Sequence, residues 1–137
     1  MPRFLSLDDV LDSHAEQIAA YGGSDGVRDL GLLQSAVSQP EATYSGRYLH
    51  NDLFEMAAAY LFHIVQNHPF IDGNKRVGLE AALLFLEING VSVEATDDAL
   101  VDLVLETAQG QKSKERIAGF LRSHASGSGE PVDEHEG

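Results

Sequence analysis

The chain reads HPFIDGNKR from His68 to Arg76, and strongly apolar segments of helical character flank this stretch on both sides. Pro69 ends the preceding helix, because a proline disfavours helical geometry in the residue before it. The following helix is predicted to begin at Asn74 or Lys75. A histidine, a carboxylate, an amide and two cations are therefore concentrated at one junction between two helices, and we expect the rest of the chain to support this loop.

The two flanking segments predict the core of the fold. From Asp52 to Asn67 apolar residues recur at the i, i+3, i+4 spacing of an amphipathic helix. Between Val77 and Ile88 only Glu80 and Glu87 are charged. A helix that is apolar almost all round is a buried one. We therefore predict that the helix ending at Ile88 is the central helix of the domain.

Four further helices are predicted from apolar periodicity and from capping residues at their starts. Ser6 begins the first helix and Gly22 ends it, whereas Pro40 limits the second. Thr96 and Ser113 begin the last two helices. The predicted fold class is all-α, a compact bundle of five to six helices with a buried central helix.

Composition limits the classes of function. The 137 residues suffice for one domain, and the absence of cysteine excludes disulfides and thiolate metal sites. The net charge is −13 with only nine scattered Lys and Arg residues, which argues against direct binding of nucleic acid. No apolar run has membrane-spanning length and no secretory signal is recognisable, so we expect a cytoplasmic protein without membrane contact.

The domain is predicted to cover residues 1–125. From Ser126 onward the sequence is rich in glycine, serine and acidic residues, and Val132 is its only sizeable apolar residue. Such a composition cannot bury enough apolar surface to offset the entropy of ordering. We predict that residues 126–137 form a disordered acidic tail.

The loop between the two core helices has the groups that phosphate chemistry needs. A helix N-terminus presents unpaired N–H groups and a positive dipole end, and Gly73 permits a tight turn. Asn74 is available either to cap the helix or to donate its amide to an oxygen. Lys75 and Arg76 are opposed by the helix dipole in this first turn, so their placement needs another explanation. A bound polyphosphate supplies one.

The remaining groups of the loop suit transfer of a phosphoryl or nucleotidyl group. Asp72 is a hard oxygen ligand for Mg²⁺, and His68 could accept a proton from an attacking hydroxyl. Phe70 and Ile71 are predicted to anchor the loop in the core. Each residue alone also has an ordinary structural explanation, and their joint occurrence favours function. The motifs GxxxxGK[ST], GxGxxG and HExxH are absent from the chain.

This segment resembles the signature of the Fic/Doc (Fido) family, His-x-Phe-x-Asp/Glu-Gly/Ala-Asn-Gly/Lys-Arg. The resemblance extends over most of the chain, and with the small size of the protein it is closest to the death-on-curing (Doc) toxins of toxin–antitoxin pairs. It implies a compact Fido-type helical domain. The further matching stretches are Tyr21–Gly23, Gly31–Ala36, Asp52–Glu55 and Ala82–Val91.

Lys75 bears on the reaction that the resemblance implies. AMP-transferring Fic enzymes carry glycine at this position, and a lysine side chain would fill space that phosphates need for attack at the α-phosphate. In Doc-type toxins this lysine accompanies a reversed nucleotide pose with the γ-phosphate beside the histidine. The resemblance thus implies a protein serine/threonine kinase that uses ATP and Mg²⁺ to phosphorylate a threonine of elongation factor Tu and inhibits translation.

Two alternatives remain open from the sequence. Gly73 is more typical of Fic enzymes, since the Doc pattern often has alanine there, and it favours transfer of AMP or another nucleotidyl group to a protein hydroxyl. A catalytically silent Fido-fold binding protein is the other alternative. The complete set of His68, Asp72, Asn74, Lys75 and Arg76 argues against that silent protein.

The roles of the loop residues follow from the resemblance by position. His68 would be the general base or the residue that orients the target hydroxyl, and Asp72 would bind Mg²⁺. Lys75 and Arg76 would also take part in catalysis through the phosphates. Nucleotide binding is implied for four consecutive residues: Gly73, Asn74, Lys75 and Arg76.

The resemblance also implies partners. The loop from Tyr44 to Leu49 corresponds to the region that aligns target peptides in the family. The inhibitory motif Ser/Thr-x-x-x-Glu-Gly/Asn of many Fic proteins is absent from this chain. Restraint should therefore come from a cognate antitoxin whose C-terminal segment docks as a helix in an apolar groove. Operator binding would then belong to the antitoxin.

Overall fold

A computed structural model describes residues 1–127 of the chain. Within these residues the predicted all-α bundle of five to six helices is confirmed, with six α-helices accompanied by two small antiparallel sheets. The helices are α1 (Leu7–Tyr21), α2 (Leu30–Ser38), α3 (Leu53–Asn67), α4 (Asn74–Ile88), α5 (Asp97–Ala108) and α6 (Lys114–Ser123). The strands are β1 (Thr43–Tyr44), β2 (Arg47–Tyr48), β3 (Val91–Val93) and β4 (Ala125–Gly127).

Side-chain caps fix where the helices begin. Ser6 Oγ accepts a hydrogen bond from the Asp9 N–H at 3.1 Å, and the Asp9 carboxylate accepts one from the Ser6 N–H at 2.8 Å. This reciprocal capping box satisfies two N–H groups that the helix itself leaves unpaired. The predicted caps Thr96 and Ser113 are confirmed, because each side chain accepts one hydrogen bond from an N–H of the first helical turn. Asp52 caps α3 with a bond of the same kind.

The core is built around α3 and α4. Ten residues of α3 and seven of α4 are buried, so the centre of the fold is formed by α3 as much as by the predicted helix α4. The two helices approach closely at Gly78, where a Cβ atom would lie 2.8 Å from Val65 Cγ2. The buried Tyr60 hydroxyl accepts a hydrogen bond from the Leu5 N–H at 2.8 Å, and burial raises the pKa of Tyr60. The loop that joins α3 to α4 is therefore attached at both ends to the most deeply buried helices.

The segment between α2 and α3, where helical periodicity is lost, contains a hairpin. A short 3₁₀ turn over Gln39–Glu41 is followed by β1 and β2, which pair antiparallel with Thr43 opposite Tyr48. The two-residue connection has positive φ angles, 53° at Ser45 and 79° at Gly46. Such angles match the twist of a tight hairpin. The predicted loop Tyr44 to Leu49 is thus a hairpin with an exposed tip.

The extended connection after α4 is also paired. Strand β3 lies antiparallel to β4, with Val91 opposite Gly127 and Val93 opposite Ala125. The pairing includes Ser126 and Gly127, which are the first two residues of the predicted tail. The rest of that predicted tail, residues 128–137, lies outside the part of the chain that the structure describes. None of the helices in residues 1–127 combines the length and apolar character needed to cross a bilayer.

Candidate active site

The loop begins at His68, which ends α3 in a left-handed backbone conformation with φ 49°. In residues 1–127 only His68 and Ser45 have a positive φ without being glycine. This conformation costs about 1 kcal/mol or more for a residue with a side chain, and it persists only where neighbouring groups impose it. The His68 side chain is exposed, so the turn presents an imidazole at the surface of the protein.

Arg28 is the residue that holds this turn. Its guanidinium donates from Nε to the His68 carbonyl at 2.6 Å and from a terminal nitrogen to the Asn67 carbonyl at 2.8 Å. The main-chain N–H groups of Arg28 and Asp29 both donate to the Pro69 carbonyl, at 2.7 and 3.0 Å. The last carbonyls of a helix lack intrahelical donors, and this segment supplies them. The connection between α1 and α2 therefore fixes the position of the histidine.

Asn74 closes the loop from inside. Its Oδ1 accepts a hydrogen bond from the Phe70 N–H at 2.9 Å, and its Nδ2 donates to the Phe70 carbonyl at 3.0 Å. The same Nδ2 lies 3.4 Å from His68 Nδ1. Of the two uses predicted for Asn74, capping is wrong, because Gly73 is the N-cap residue of α4. The side-chain amide instead donates to a main-chain oxygen of the loop.

Asp72 is held as an exposed carboxylate. The Ser24 N–H donates to its Oδ2 at 3.2 Å and the Gly73 N–H donates to its Oδ1 at 2.9 Å. These two hydrogen bonds lower the pKa of Asp72 below its usual value, and the positive charges of Arg76 and Lys75 lower it further. The carboxylate is consequently ionised at neutral pH and available as a ligand.

The first turn of α4 has the features of an anion site. The N–H groups of Asn74, Lys75 and Arg76 have no acceptor among residues 1–127, and the first N–H to bond back along the helix is that of Val77, at 3.0 Å from Gly73 O. Both cationic side chains are exposed, and neither forms an ion pair within the described part of the chain. The positive end of the helix dipole and two cations therefore act together at this end of α4.

Of the two predicted apolar anchors of the loop, one is buried and the other is exposed. Phe70 is 1% exposed and belongs to the core, which confirms it as an anchor. Ile71 is 57% exposed, so the prediction that it anchors the loop is wrong. Neighbouring side chains of an extended segment point to opposite sides, and Phe70 takes the inner side. The Ile71 N–H instead donates to the Gly26 carbonyl at 3.1 Å.

The residues that contact the loop and were not predicted to do so include His14, Gly23, Ser24 and Arg28. Gly23 leaves room for the carboxylate, because a Cβ atom there would lie 2.8 Å from Asp72 Oδ2. His14 is 3% exposed, and its Nε2 lies 2.9 Å from the Asp72 carbonyl oxygen. The sequence did contain a signal for His14, since it lies four residues after Val10 and four before Ile18 on the apolar stripe of α1.

Comparison with known proteins identifies the family. The model of the Fic/DOC family matches residues 4–86. The chain is 39% identical over 127 residues to "Toxin Doc" of Mycolicibacterium smegmatis, covering 91% of this chain and 95% of that protein. It is 36% identical over 120 residues to "Protein kinase doc" of Escherichia phage P1, covering 88% of this chain and 94% of that protein. The chain belongs to the Fic/DOC family.

Proposed function

We propose that this chain is the toxin of a toxin–antitoxin pair and acts in the cytoplasm as a protein kinase. It transfers the γ-phosphate of ATP to a threonine of elongation factor Tu and so inhibits translation. The observation that carries the proposal is the first turn of α4, where three N–H groups and two exposed cations adjoin an exposed histidine and an ionised carboxylate. The names of the two relatives, a toxin and a protein kinase, support the same class.

Phosphate binding is assigned to the start of α4. Polyphosphates bind at helix N-termini because unpaired N–H groups and the helix dipole both favour an anion. Gly73 shapes this site through its left-handed conformation, with φ 80°. Lys75 and Arg76 add point charges at the same end, and Asn74 keeps the preceding loop closed.

The donor set around Asp72 fits a magnesium ion. Mg²⁺ in phosphoryl-transfer sites is commonly held by one or two carboxylates together with phosphates and water. An ionised and exposed Asp72 meets this requirement, and residues 1–127 contain no cluster of three acidic or histidine ligands that would form a closed protein cage. When bound, Mg²⁺ would neutralise developing charge on the phosphates.

The geometry favours an orienting role for His68 over that of general base. Asn74 Nδ2 donates to the Phe70 carbonyl, so it is the amide nitrogen of the side chain and can only donate. It lies 3.4 Å from His68 Nδ1, which is therefore the acceptor of this pair. A neutral imidazole that accepts at Nδ1 carries its own hydrogen on Nε2. In that tautomer Nε2 donates to the oxygen of the target hydroxyl and positions it for in-line attack. The hydroxyl proton then passes to an oxygen of the transferred phosphate or to water, and ADP leaves.

Transfer of AMP is the second candidate, and Gly73 was the residue that favoured it. The backbone of Gly73 gives a different reason for glycine at this position. Its φ of 80° lies in the region where an L side chain is strained, whatever space surrounds it. The backbone conformation at the start of α4 therefore explains the glycine. Its presence no longer favours AMP transfer over phosphate transfer.

Intact-mass measurement tests the reaction. The full chain is incubated with Mg-ATP and elongation factor Tu, alongside the variants His68→Ala and Asp72→Asn and the distant control Arg116→Ala. A phosphate adduct formed by the wild type and the control, and lost in the two site variants, is expected. An AMP adduct would contradict kinase activity, and growth arrest by His68→Ala would instead support a silent binding protein.

The proposal includes an antitoxin as partner. A relative named as a toxin supports such a pair, and the antitoxin is proposed to dock a C-terminal helix in an apolar groove of this chain. Co-expression of the neighbouring small gene should restore growth in cells arrested by this chain. The partner alone should then bind operator DNA, because the charge of −13 disfavours phosphate contacts by this protein.

A further inference from the structure

We propose that His14 is a positioning residue for the active-site loop. It holds the main chain of Asp72 so that the carboxylate and the start of α4 face one ligand. The inference rests on the proposed function, because it assigns a part in that site to a buried histidine from a separate element, α1. His14 and Asp72 are 58 residues apart in the chain.

The contacts of His14 define this role. Its ring stacks on that of Phe70 with 3.9 Å between centroids and 5° between planes, and its Nε2 lies 2.9 Å from the Asp72 carbonyl oxygen. A carbonyl oxygen only accepts hydrogen bonds, so Nε2 is the donor. The opposite nitrogen, Nδ1, lies 3.8 Å from the exposed carboxylate of Asp25.

The bond completes a three-point support of Asp72. Ser24 and Gly73 each donate a main-chain N–H to the carboxylate, at 3.2 and 2.9 Å, and His14 donates to the carbonyl of the same residue. The Gly73 bond sets the direction of the carboxylate relative to its own backbone, and the Ser24 bond attaches it to the connection between α1 and α2. The third fixes that backbone relative to α1. Errors of about 1 Å in the position of a reacting group lower rates by about 100-fold.

Core packing alone does not account for a histidine here. The neighbouring positions of the stripe, Val10 and Ile18, are apolar, and a phenylalanine at position 14 would preserve an aromatic stack on Phe70. A phenylalanine would leave the Asp72 carbonyl without its donor. Hydrogen bonding, and not volume, therefore distinguishes histidine from the apolar alternatives at this position.

Replacement of His14 by two amide side chains of different length distinguishes a positioning role from a packing role. The side-chain nitrogen of glutamine extends about as far as histidine Nε2, whereas that of asparagine reaches only about as far as Nδ1. We expect His14→Asn to lower kcat for phosphorylation of elongation factor Tu by about 10- to 100-fold with little change in KM for the protein. His14→Gln should recover most of the wild-type rate. Glu16→Gln, an exposed position on the same helix, is the control and should leave the rate unchanged.

A binding measurement makes this test independent of the reaction. The affinity of each full-length variant for Mg-ATP is measured by calorimetry, and thermal unfolding is measured in parallel. His14→Asn should weaken binding and His14→Gln should restore it. If the wild type binds Mg-ATP without phosphorylating the target, the kinase proposal fails and the affinity series still decides the role of His14.

Two results would overturn the role of His14. One is wild-type rate and Mg-ATP affinity in His14→Asn. The other is equal impairment of His14→Gln and His14→Asn, which would show that ring packing matters and the donated hydrogen bond does not. His14→Phe adds a third comparison, because it keeps an aromatic ring and should be impaired like His14→Asn.

Discussion

Lys75 is the residue on which we propose that the choice of reaction depends. It is exposed in the first turn of α4, beside main-chain N–H groups that have no acceptor in residues 1–127. A side chain at this point adds a charge for phosphates and also fills space that glycine would leave open. The effect of a single residue depends on the charge and volume of its side chain, so one substitution tests it.

Replacement of Lys75 by glycine should change the reaction. We expect Lys75→Gly to lower phosphate transfer by about tenfold or more, because a cation that stabilises the transferred group is lost. It should also permit some AMP transfer by opening space at the α-phosphate. The measurement is the intact mass of elongation factor Tu after incubation with Mg-ATP. Lys112→Gly, which breaks only the ion pair with Glu106, is the control. Unchanged products would show that Lys75 does not select phosphate transfer over AMP transfer.

Phe70 and Ile71 should differ sharply in their effect on stability. Phe70→Ala removes a ring that is 1% exposed, and we expect a loss of about 3–5 kcal/mol in the free energy of unfolding. Ile71→Ser changes a side chain that is 57% exposed and should alter that free energy by less than about 0.5 kcal/mol. Urea unfolding measures both. Similar values for the two variants would contradict the opposite orientations of the side chains.

At the scale of elements, the close crossing of α3 and α4 sets the ends of the active-site loop. Gly78 on α4 faces Val65 and the main-chain oxygen of Leu61 on α3, at 2.8 and 3.3 Å from the position of a Cβ atom. A larger residue would push the helices apart. The start of α4 lies one turn before this crossing, so a shift there would move the N–H groups that we propose bind phosphate.

Two glycine substitutions test this crossing. Gly78→Ala should destabilise the protein by about 1–3 kcal/mol, because the added methyl group meets Val65. Gly119→Ala in α6 is the matched control, since nothing lies within 4 Å of its Cβ position. Alanine favours helices over glycine by about 1 kcal/mol, so the control should be stabilising. The comparison is made by urea unfolding, and stabilisation by both would contradict a tight crossing.

A second cluster links α3 and α6 through an ammonium group. Lys114 Nζ lies 3.2 Å from His63 Nε2 and 3.4 Å from His50 Nε2. Burial, followed by the charge of Lys114, lowers the pKa of both imidazoles, and that of His63 falls from 6.5 to about 4. The negative charge of Glu55 raises the pKa of His50 and so opposes this lowering at His50 only. Both histidines are therefore neutral acceptors for Lys114 at neutral pH.

This cluster predicts acid sensitivity. Below pH 6.5 an unfolded chain takes up a proton at His63, but the folded chain does not until about pH 4. The unfolded state therefore binds more protons in this window, and stability should fall as the pH drops through it. Urea unfolding at about pH 7 and about pH 5 should show a smaller loss for His63→Gln than for the wild type. Equal losses in the two proteins would show that His63 does not contribute.

At the scale of the whole molecule, the site is formed by two parts of the chain. The loop between α3 and α4 supplies the groups for chemistry, and the chain from His14 to Asp29 supplies hydrogen bonds that hold it. Val27 and Phe70 form an isolated antiparallel bridge at this contact. The buried helices lie on one side of the loop and α1 on the other, so the loop is shaped from both sides.

Arg28 links these two parts through two side-chain hydrogen bonds and one main-chain hydrogen bond. Arg28→Ala leaves the carbonyls of Asn67 and His68 without their side-chain donors, and we expect a loss of about 1 kcal/mol in stability because the group is solvent-exposed. Activity should fall further than stability, since His68 would be free to leave its left-handed conformation. Phosphate transfer and urea unfolding are measured together, with Arg116→Ala as control. Normal activity in Arg28→Ala would contradict this view of the loop.

The sequence by itself determined the helices and the residues of the candidate site. Helix starts depend on a cap and an N–H a few residues away, as at Ser6 and Asp9, and such local interactions can be read from spacing. The site residues lie within the stretch from His68 to Arg76, so their proximity follows from the chain itself. Assignment of their roles stays a prediction until the variants are measured.

Only the tertiary structure decided which groups surround that stretch. The bonds from Arg28 to His68 and from His14 to Asp72 span 40 and 58 residues. No local spacing rule relates residues so far apart, because such contacts depend on how whole helices pack. The same reason applies to the pairing of β4 with β3 and to Ile71, whose exposure follows from Phe70 taking the inner side. Local hydrogen bonds and periodicity thus specified the active-site loop, and long-range packing specified how it is held.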